Sequence, residues 1–194
     1  LTRNPEDKEC GSAEAIAKKL ASAWKLRRLA GYEYSFRLCF GEADGIPGLI
    51  IDRYSLEKGH QIFCVQAQTA GANLLLGAQG ENIIAILERL LQDLGLTSTA
   101  WCVILRNDAS VRQLEGLETE GPRVVRSLPD TDLNHALIKV DSPHAPTFLE
   151  ADLLEGQKTG LFLDQAANIQ LAAEVLRVLT PKLRVLDLCC YVGQ

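Results

Sequence analysis

One stretch of the sequence decides the fold of the first part of the chain: Phe36-Arg-Leu-Cys-Phe-Gly-Glu-Ala-Asp-Gly-Ile-Pro-Gly-Leu-Ile-Ile-Asp-Arg-Tyr54. Two apolar runs flank a cluster of glycine, proline and acidic residues, which is the pattern of two strands joined by a tight turn. A third apolar run follows after a polar loop. We therefore predict strands over 35–40, 49–54 and 61–66, paired as an antiparallel meander.

The loop of this hairpin carries two carboxylates, Glu42 and Asp44. Paired acids are able to bind a metal ion, but in a tight turn they more often accept hydrogen bonds from backbone amides, and we favour that role. At the end of the second strand, Asp52 and Arg53 should point to opposite faces of the sheet, because side chains alternate along a strand.

The most basic part of the chain precedes the hairpin, in a predicted helix over 12–29. Ser12 is suited to cap this helix, and Glu14 lies in the first turn, where a carboxylate interacts favourably with the helix dipole. The cations of the helix form either a solvated polar face, which we favour, or a surface that faces phosphate groups: Lys18, Lys19, Lys25, Arg27 and Arg28.

Beyond the meander, helical and strand patterns alternate. In chain order they predict a helix over 81–94, strands over 100–105, 121–127 and 135–140, two further strands over 147–153 and 159–163, and a helix over 166–179. The two strands that flank Glu155-Gly156 predict a hairpin. The best domain boundary lies in the loop at 142–146, where two prolines separate two patterned regions.

The last residues before Gln194 have the pattern of the start of a cofactor-binding domain. An apolar strand over 184–188 leads through Asp187 into a tight turn of small residues. In doubly wound α/β domains the cofactor lies at the carboxyl end of the first strand. We therefore expect an α/β fold in which an α+β central domain precedes the first elements of a Rossmann-like domain. Because the chain ends there and contains no Met, we expect it to be a front fragment of a longer protein.

Composition excludes several classes of function. The net charge of −5 argues against a protein that holds nucleic acid by bulk electrostatics, although it leaves room for a local basic patch. There is no run of about 18 apolar residues, so we expect no membrane span. The six cysteines form no C-x-x-C pair, and we predict neither a metal site nor disulfides but a reducing cytosol.

Two further motifs carry polar residues. The stretch from Arg106 to Leu117 follows a strand directly, and it forms either a ligand-binding strand end or a surface turn with a Glu–Arg pair. The stretch from Gly156 to Gln165 places Lys158-Thr159 before its second glycine. A P-loop has the Lys after the second glycine, so we exclude binding of a nucleoside triphosphate.

These motifs, taken in order, resemble the class I S-adenosylmethionine-dependent ribosomal RNA methyltransferases that carry an N-terminal PUA domain, a central α/β domain and a Rossmann-like methyltransferase domain. The resemblance covers nearly the whole chain and is closest to the RlmI type, which methylates cytosine C5 in large-subunit rRNA. It rests on the hairpin from Phe36 to Tyr54, the short Ala70-Gly71-Ala72, and the segments R-N-D-A-S-V-R-Q-L-E-G-L, G-Q-K-T-G-L-F-L-D-Q and V-L-D-L-C-C-Y-V-G.

The resemblance implies a site for S-adenosyl-L-methionine and contacts to ribosomal RNA. It places the cofactor beside Lys158, Thr159, Gly160, Phe162, Asp164 and Gln165, with Asp187, Tyr191 and Gly193 below it. Backbone amides near 191–193 would face the methionine carboxylate. The RNA contacts would come from the basic helix, through Lys18, Lys19, Lys25, Arg27 and Arg28.

The resemblance also implies a division of the chain. Residues 1–29 would be the trailing helix of, or a linker from, a missing PUA domain. Residues 30–145 would be the central α/β domain, and residues 146–194 the β-hairpin, helix and first strand of a truncated methyltransferase domain. The catalytic cysteine of the family would lie beyond Gln194, so neither Cys189 nor Cys190 is expected to be the nucleophile. The chain by itself should bind the cofactor weakly or not at all and should not methylate.

The chain departs from the family pattern at two positions after the L-D-Q motif. The family usually has Arg where this chain has Ala166, and often a second Arg where it has Ile169. Two alternatives therefore accompany cytosine-C5 methylation: guanine-N7 methylation of rRNA by the same architecture, and a non-catalytic RNA-binding or assembly module. The expected location is the cytoplasm, with a homodimer as one arrangement. The sequence does not name the target nucleotide.

Overall fold

The fold is that of a computed structural model, which describes residues 11–77, 79–142, 145–179, 184 and 186. The helices are α1 (Ala13–Leu29), α2 (Ala70–Leu76), α3 (Glu81–Asp93) and α4 (Ala166–Leu179). The strands are β1 (Phe36–Phe40), β2 (Leu49–Leu56), β3 (Gln61–Ala67), β4 (Trp101–Leu105), β5 (Arg123–Arg126), β6 (Ala136–Val140) and β7 (Thr147–Ala151). Single turns of 3-10 helix cover Gly41–Asp44, Ser110–Glu115 and Leu163–Gln165.

The seven strands of the described residues form one mixed sheet, in which six follow the order β5-β4-β3-β2-β6-β7 and β1 pairs with β2 beside that path. The predicted meander of β1, β2 and β3 is confirmed, since both pairs are antiparallel. β4 is parallel to β3, and the crossover between them is α2 and α3. β1 and β6 pair with different parts of β2, because β1 is opposite residues 50–53 and β6 is opposite Ser55 and Leu56. The predicted α/β fold class is therefore confirmed.

The helix face of the sheet, which we define as the face that packs α1, α2 and α3, carries the larger apolar cluster. Odd-numbered residues of β2, β3 and β4 point to it, as the alternation along a strand requires. α3 buries one side against this face and α1 does the same, with Trp24 and Phe36 in edge-to-face contact at 5.3 Å between ring centroids. Ser12 caps α1 as predicted, because its Oγ accepts a hydrogen bond from the Ala15 amide.

The opposite face is the loop face, which we define as the face that packs residues 152–165. Even-numbered residues of the same strands point to it and form a second apolar cluster. The loop contributes three side chains to that cluster: Leu153, Leu161 and Leu163. The two faces separate Asp52 from Arg53 as predicted, since Asp52 bonds to Thr159 of the loop and Arg53 lies over the ring of Trp24 in α1.

The predicted hairpin over 147–153 and 159–163 is wrong. β7 pairs with β6 instead, with Ile138 opposite Leu149, and 159–163 forms no strand. The side chains of 159, 161 and 163 are buried because they pack under the sheet, and this spacing of two residues is the same as the period of a strand. The predicted strand over 184–188 lies almost wholly outside the described residues, and the division of the chain into domains stays a prediction.

Candidate functional site

The candidate site is built on the loop from Asp152 to Gln165. The loop begins with a tight turn around the Asp152 carboxylate, whose Oδ1 accepts hydrogen bonds from the amides of Leu154 and Glu155 at 2.9 and 2.8 Å. The same oxygen accepts a bond from the Asn134 side chain at 3.1 Å. An aspartate that binds amides two and three residues ahead fixes the direction of the chain at this point.

Two glycines let this turn close. A Cβ at Gly156 would lie 2.2 Å from the Asp152 carbonyl oxygen, and a Cβ at Gly160 would lie 2.5 Å from a Leu153 methyl group. Gly160 also has φ +120°, a region that side chains rarely adopt. The Gly-x-x-x-Gly spacing is therefore explained by close packing of the loop on itself.

Arg106, which follows β4 directly, anchors the turn to the sheet through hydrogen bonds. Its Nη1 donates to the Leu153 carbonyl at 2.9 Å, and its Nη2 donates to the Gly156 carbonyl at 2.8 Å. Asp108 holds the same guanidinium at 2.9 Å. Arg106 is only 2% exposed, so this strand end anchors the loop and presents no guanidinium to a ligand.

Arg112, in the same motif, is also a buried clamp. Its guanidinium donates to the Ala67 and Glu118 carbonyls and to the Asn73 side chain, and the residue is 2% exposed. Asn107 Oδ1 accepts a bond from the Ala67 amide. The sequence left two alternatives for this motif, a ligand-binding strand end and a surface turn with a Glu–Arg pair. Neither describes its two arginines, because Arg106 and Arg112 donate to carbonyl groups inside the protein.

A buried polar relay ties the middle of the loop to the meander. The Thr159 hydroxyl donates to Asp52 Oδ2 at 2.5 Å and lies 2.8 Å from the Tyr54 hydroxyl. Since the one hydroxyl hydrogen of Thr159 is given to Asp52, Tyr54 is the donor in the second bond. Arg37 completes the relay with two bonds to the Asp52 carboxylate, at 2.8 and 2.9 Å.

The electrostatics of this relay favour one protonation state. Burial raises the pKa of Tyr54 well above its usual value, and the nearby Asp52 carboxylate adds to that effect. The hydrogen bonds to Asp52 hold the pKa of Arg37 above its usual value. The relay therefore combines a neutral phenol, a neutral hydroxyl and one ion pair at neutral pH.

The outer side of the loop presents charged and aromatic side chains. Lys158 Nζ lies 4.3 Å from the centroid of the Phe162 ring and 3.7 Å from Asp164 Oδ2. The side chains of Lys158 and Asp164 are about half exposed or more, at 48% and 62%. Gln165 is exposed and accepts a bond from Asn168.

The six predicted cofactor residues of this loop thus fall into two groups. Thr159 and Gly160 lie in the buried layer, where Thr159 is 1% exposed, whereas Lys158, Phe162, Asp164 and Gln165 lie towards the surface. Contact of any of them with a cofactor stays a prediction. Asp187, Tyr191, Gly193, Cys189 and Cys190 lie outside the described residues.

A groove of about 330 Å³ adjoins the end of this loop. It runs between α1, β1 and the 3-10 turn that contains Asp164. Both of its guanidinium groups are already paired with carboxylates, Arg27 with Asp44 and Arg37 with Asp52. The groove is lined by Arg27, Tyr32, Phe36, Arg37, Phe40, Leu163 and Asp164.

The capping role that was predicted for the two acids of the first hairpin loop is confirmed for Asp44. Asp44 Oδ2 accepts a hydrogen bond from the Phe40 amide at 2.7 Å, and the carboxylate also binds Arg27. Glu42 is exposed. In the part of the chain that the structure describes, no group of three His, Cys, Asp or Glu side chains is arranged to hold a metal ion.

The basic helix makes mostly internal contacts. Lys18 pairs with Glu14 at 2.9 Å, Lys19 donates to the Gly45 carbonyl at 2.8 Å, and Arg27 pairs with Asp44. Arg28 donates to the Tyr32 and Glu33 carbonyls, and Lys25 is exposed. Their role in RNA binding stays a prediction.

The described cysteines are unsuited to nucleophilic chemistry. Burial raises the pKa of Cys39 to about 12 and that of Cys102 to about 11, and it raises the pKa of Cys64 well above its usual value. A reactive cysteine needs a lowered pKa and access to its substrate. These three residues pack the core instead.

No helix among the described residues is both long enough and apolar enough to cross a membrane.

The chain is similar to proteins named ribosomal RNA large subunit methyltransferase I. The protein of Aeromonas hydrophila is 31% identical over 169 residues, which are 87% of this chain and 35% of that protein. The protein of Klebsiella pneumoniae is 36% identical over 160 residues, 82% of this chain and 33% of its own length. That of Escherichia coli is 35% identical over 133 residues, 68% of this chain and 27% of its own length.

No family model matches the chain. The chain spans about a third of the length of the curated relatives that it matches. Identity above 30% over most of the chain, in several relatives of one name, is nevertheless sufficient to assign the family. Over the residues that it shares with these relatives, the chain belongs to the family of ribosomal RNA large subunit methyltransferase I.

Proposed function

We propose that the chain is part of an S-adenosylmethionine-dependent methyltransferase that modifies cytosine C5 in large-subunit ribosomal RNA in the cytoplasm. The observation that carries this proposal is the similarity to relatives whose name specifies large-subunit rRNA and methyl transfer. The cofactor follows from the reaction, because a methyl group is transferred from an activated donor. The choice of cytosine C5 rests on the motifs that resemble the RlmI type.

The loop from Asp152 to Gln165 is the part of this chain that we assign to the cofactor. The amino-acid end of S-adenosylmethionine is a zwitterion with one ammonium and one carboxylate group, and its sulfur is a positively charged sulfonium. Lys158 and Asp164 present one charge of each sign at the surface, 3.7 Å apart and beside the Phe162 ring. A pair of opposite charges next to a flat apolar surface suits a zwitterion that is joined to a nucleoside.

In this proposal the remaining loop residues position that surface. Thr159 holds the backbone next to Lys158 through its bond to Asp52, and Gly160 lets the chain turn back over Leu153. Lys158 itself has a left-handed backbone, with φ +54°. A non-glycine residue persists in that conformation only where its surroundings hold it, and the relay provides such a hold.

Methylation at cytosine C5 needs a cysteine thiolate that adds to C6 and makes C5 nucleophilic. The described cysteines are buried with raised pKa values, so none of them meets that requirement. We therefore place the nucleophile in the part of the relatives that this chain does not span. On its own the chain should bind the cofactor only weakly, because ligand sites gain affinity from groups that converge from several sides.

The reaction is tested with the full-length protein, labelled S-adenosylmethionine and unmodified rRNA. Nucleoside analysis of the product by mass spectrometry should show label in 5-methylcytidine. Label in 7-methylguanosine would replace the base assignment and keep the enzyme class. RNA binding without any incorporated label would favour the non-catalytic module.

The cofactor assignment has a matched pair of variants. Asp164→Asn should weaken binding of the cofactor to the full-length protein about tenfold, because it removes an exposed charge beside the proposed pocket. Glu155→Gln removes an exposed carboxylate of the same loop outside that surface. Equal effects of the two variants in calorimetry would remove Asp164 from the site.

A further inference from the structure

Three cations that have no carboxylate partner among the described residues line one cleft on the helix face. It has a volume of about 430 Å³ and lies between α1, β2, β6 and the segment that leaves α3. Arg28, Arg53 and Lys139 line it. Among the described residues, none of these three has a carboxylate oxygen within 4.0 Å, whereas Arg27, Arg37 and Arg106 elsewhere all do.

Arg53 forms the base of this cleft and is 7% exposed. Its guanidinium lies over the rings of Trp24 and Phe36, at 4.4 and 5.0 Å from their centroids. Nε donates to Gln61 at 2.9 Å, and Nη1 donates to the carbonyls of Glu33 and Tyr34. These contacts fix the plane of the guanidinium.

The second terminal nitrogen of Arg53 has no hydrogen-bond partner among the described residues. Yet every fully buried side-chain nitrogen and oxygen that the structure describes has a partner. The Arg53 Nη2 therefore reaches solvent, and the cleft that Arg53 lines is where it does so. A buried, rigidly held cation thus presents N–H donors to an open cleft.

We infer that this cleft binds a backbone phosphate of RNA. Two donors of one planar guanidinium, with a second guanidinium and an ammonium on the walls, suit a tetrahedral oxyanion. A base is a poorer occupant, because Arg53 already covers Trp24 and Phe36, and Lys139 lies 4.0 Å from the centroid of the Tyr34 ring. The choice of RNA over another phosphate ligand rests on the proposed function.

The acidic groups around the cleft set its selectivity. Glu33 and Glu57 line the rim and are exposed. Asp141 lies behind the wall, where its Oδ2 accepts bonds from the Glu33 and Tyr34 amides at 3.0 and 3.2 Å. Burial and repulsion from Arg28 lower the pKa of Arg53 to about 10, and Asp141 opposes that shift, so Arg53 is charged at neutral pH.

Binding of a fluorescein-labelled RNA hairpin to the purified 194-residue chain, followed by anisotropy at several salt concentrations, tests the cleft. Arg28→Gln and Lys139→Gln should each weaken binding about fivefold and reduce the slope of affinity against salt by about one. Glu57→Gln should strengthen binding, because it removes a negative charge from the rim. Arg177→Gln is the matched control, since it removes one exposed charge outside both the cleft and the basic helix.

Equal losses for Arg177→Gln and the cleft variants would overturn the proposal, because they would indicate diffuse attraction of RNA to the positive charges of the chain. In the Arg53→Met background, Glu57→Gln should no longer strengthen RNA binding. The melting temperature of Arg53→Met shows whether this variant still folds. If it does not fold, Arg28→Gln and Lys139→Gln still test the cleft. Inorganic phosphate at constant ionic strength should compete with RNA for the wild-type chain. Binding of phosphate without RNA would overturn the assignment to RNA.

These outcomes are separate from those that test methyl transfer. Loss of methylation in the full-length protein with the cleft effects intact would contradict the proposed function alone. Normal methylation with no effect of Arg28→Gln or Lys139→Gln on RNA binding would contradict the cleft alone.

Discussion

The two faces of the sheet are held by different physical interactions. The helix face is apolar packing, in which side chains from three helices and four strands form one continuous cluster. The loop face has a smaller apolar cluster, and its loop is anchored by hydrogen bonds to Asp52, Tyr54 and Arg106. Apolar packing has no preferred direction, whereas hydrogen bonds fix positions to a few tenths of an ångström. The face that carries the candidate site is therefore the one built for precise placement.

The arginines of the two faces also differ in whether a carboxylate neutralises them. On the loop face, Arg37 and Arg106 are each neutralised by a carboxylate and used for structure. On the helix face, Arg53 is buried without such a partner. A buried charge that lacks a counter-ion is costly and is kept where it has a use. This difference is the reason that the anion site is proposed on the helix face.

The largest effect on stability should come from the helix face. Leu87 in α3 is fully buried, and Leu87→Ala should cost about 2–5 kcal/mol of unfolding free energy, because it removes packed atoms and leaves a cavity. Leu137→Ala is the control, since Leu137 is 49% exposed on β6 and its loss should change stability by less than about 0.5 kcal/mol. Urea denaturation measures both. Equal effects would contradict the description of α3 as a helix that buries one side against the sheet.

The next effect should come from the shared carboxylate of the relay. Asp52→Asn keeps the shape but removes the charge that Arg37 and Thr159 both use, and it should cost about 1–3 kcal/mol. Hydrogen exchange should show faster exchange at Leu161 than in the wild type, with little change in α3. Glu88→Gln, at the exposed Arg126–Glu88 ion pair, should cost less than about 1 kcal/mol. Uniform loss of protection across both faces would argue against a relay that acts on the loop.

A smaller effect should measure the coupling within the relay. Thr159→Val removes two hydrogen bonds and Tyr54→Phe removes one, so the first should be the more destabilising. Because the two hydroxyls bond to each other, the double variant should lose less than the sum, by about 0.5–1.5 kcal/mol. Thermal denaturation of the four proteins gives this coupling. Strict additivity would show that the Tyr54–Thr159 bond contributes nothing.

The sequence predicted the elements whose pattern is local. The meander and α3 were correct because the apolar run at 49–54, with the turn residues before it, and the helical spacing in 81–94 depend on neighbouring residues only. The partner of a strand is not a local property. β7 follows β6 after a short loop and pairs with it, while 159–163 copies the strand pattern without any ladder.

The sequence could not have given the buried arginines. Arg106 binds the carbonyl of Leu153, 47 residues further along the chain, and Arg112 binds that of Ala67, 45 residues earlier. Both roles depend on contacts that exist only after folding. One feature of the sequence could have indicated that Arg106 is buried. It comes directly after a strand that is buried at every position, so its backbone lies below the protein surface.

The smallest effect on stability should come from the exposed pair of His135 and Glu150, at the β6–β7 edge of the sheet. The His135 ring bonds to Glu150 at 2.7 Å, and this bond, with the charges of Asp132 and Glu150, raises the pKa of His135. A raised pKa in the folded state means that the stabilisation is present in full below the pKa of the unfolded chain. It is lost as the pH rises through the folded-state value.

Glu150→Gln should therefore lower the pKa of His135 towards its ordinary value and remove that pH dependence of stability. Glu155→Gln is the control, because Glu155 is exposed and makes no bond to the ring. Proton NMR of the His135 ring between about pH 5 and 8 follows the titration directly. An unchanged pKa in Glu150→Gln would mean that the pair does not persist in solution. The covered part of the helix face should be unaffected in either case, because its stability comes from burial rather than charge.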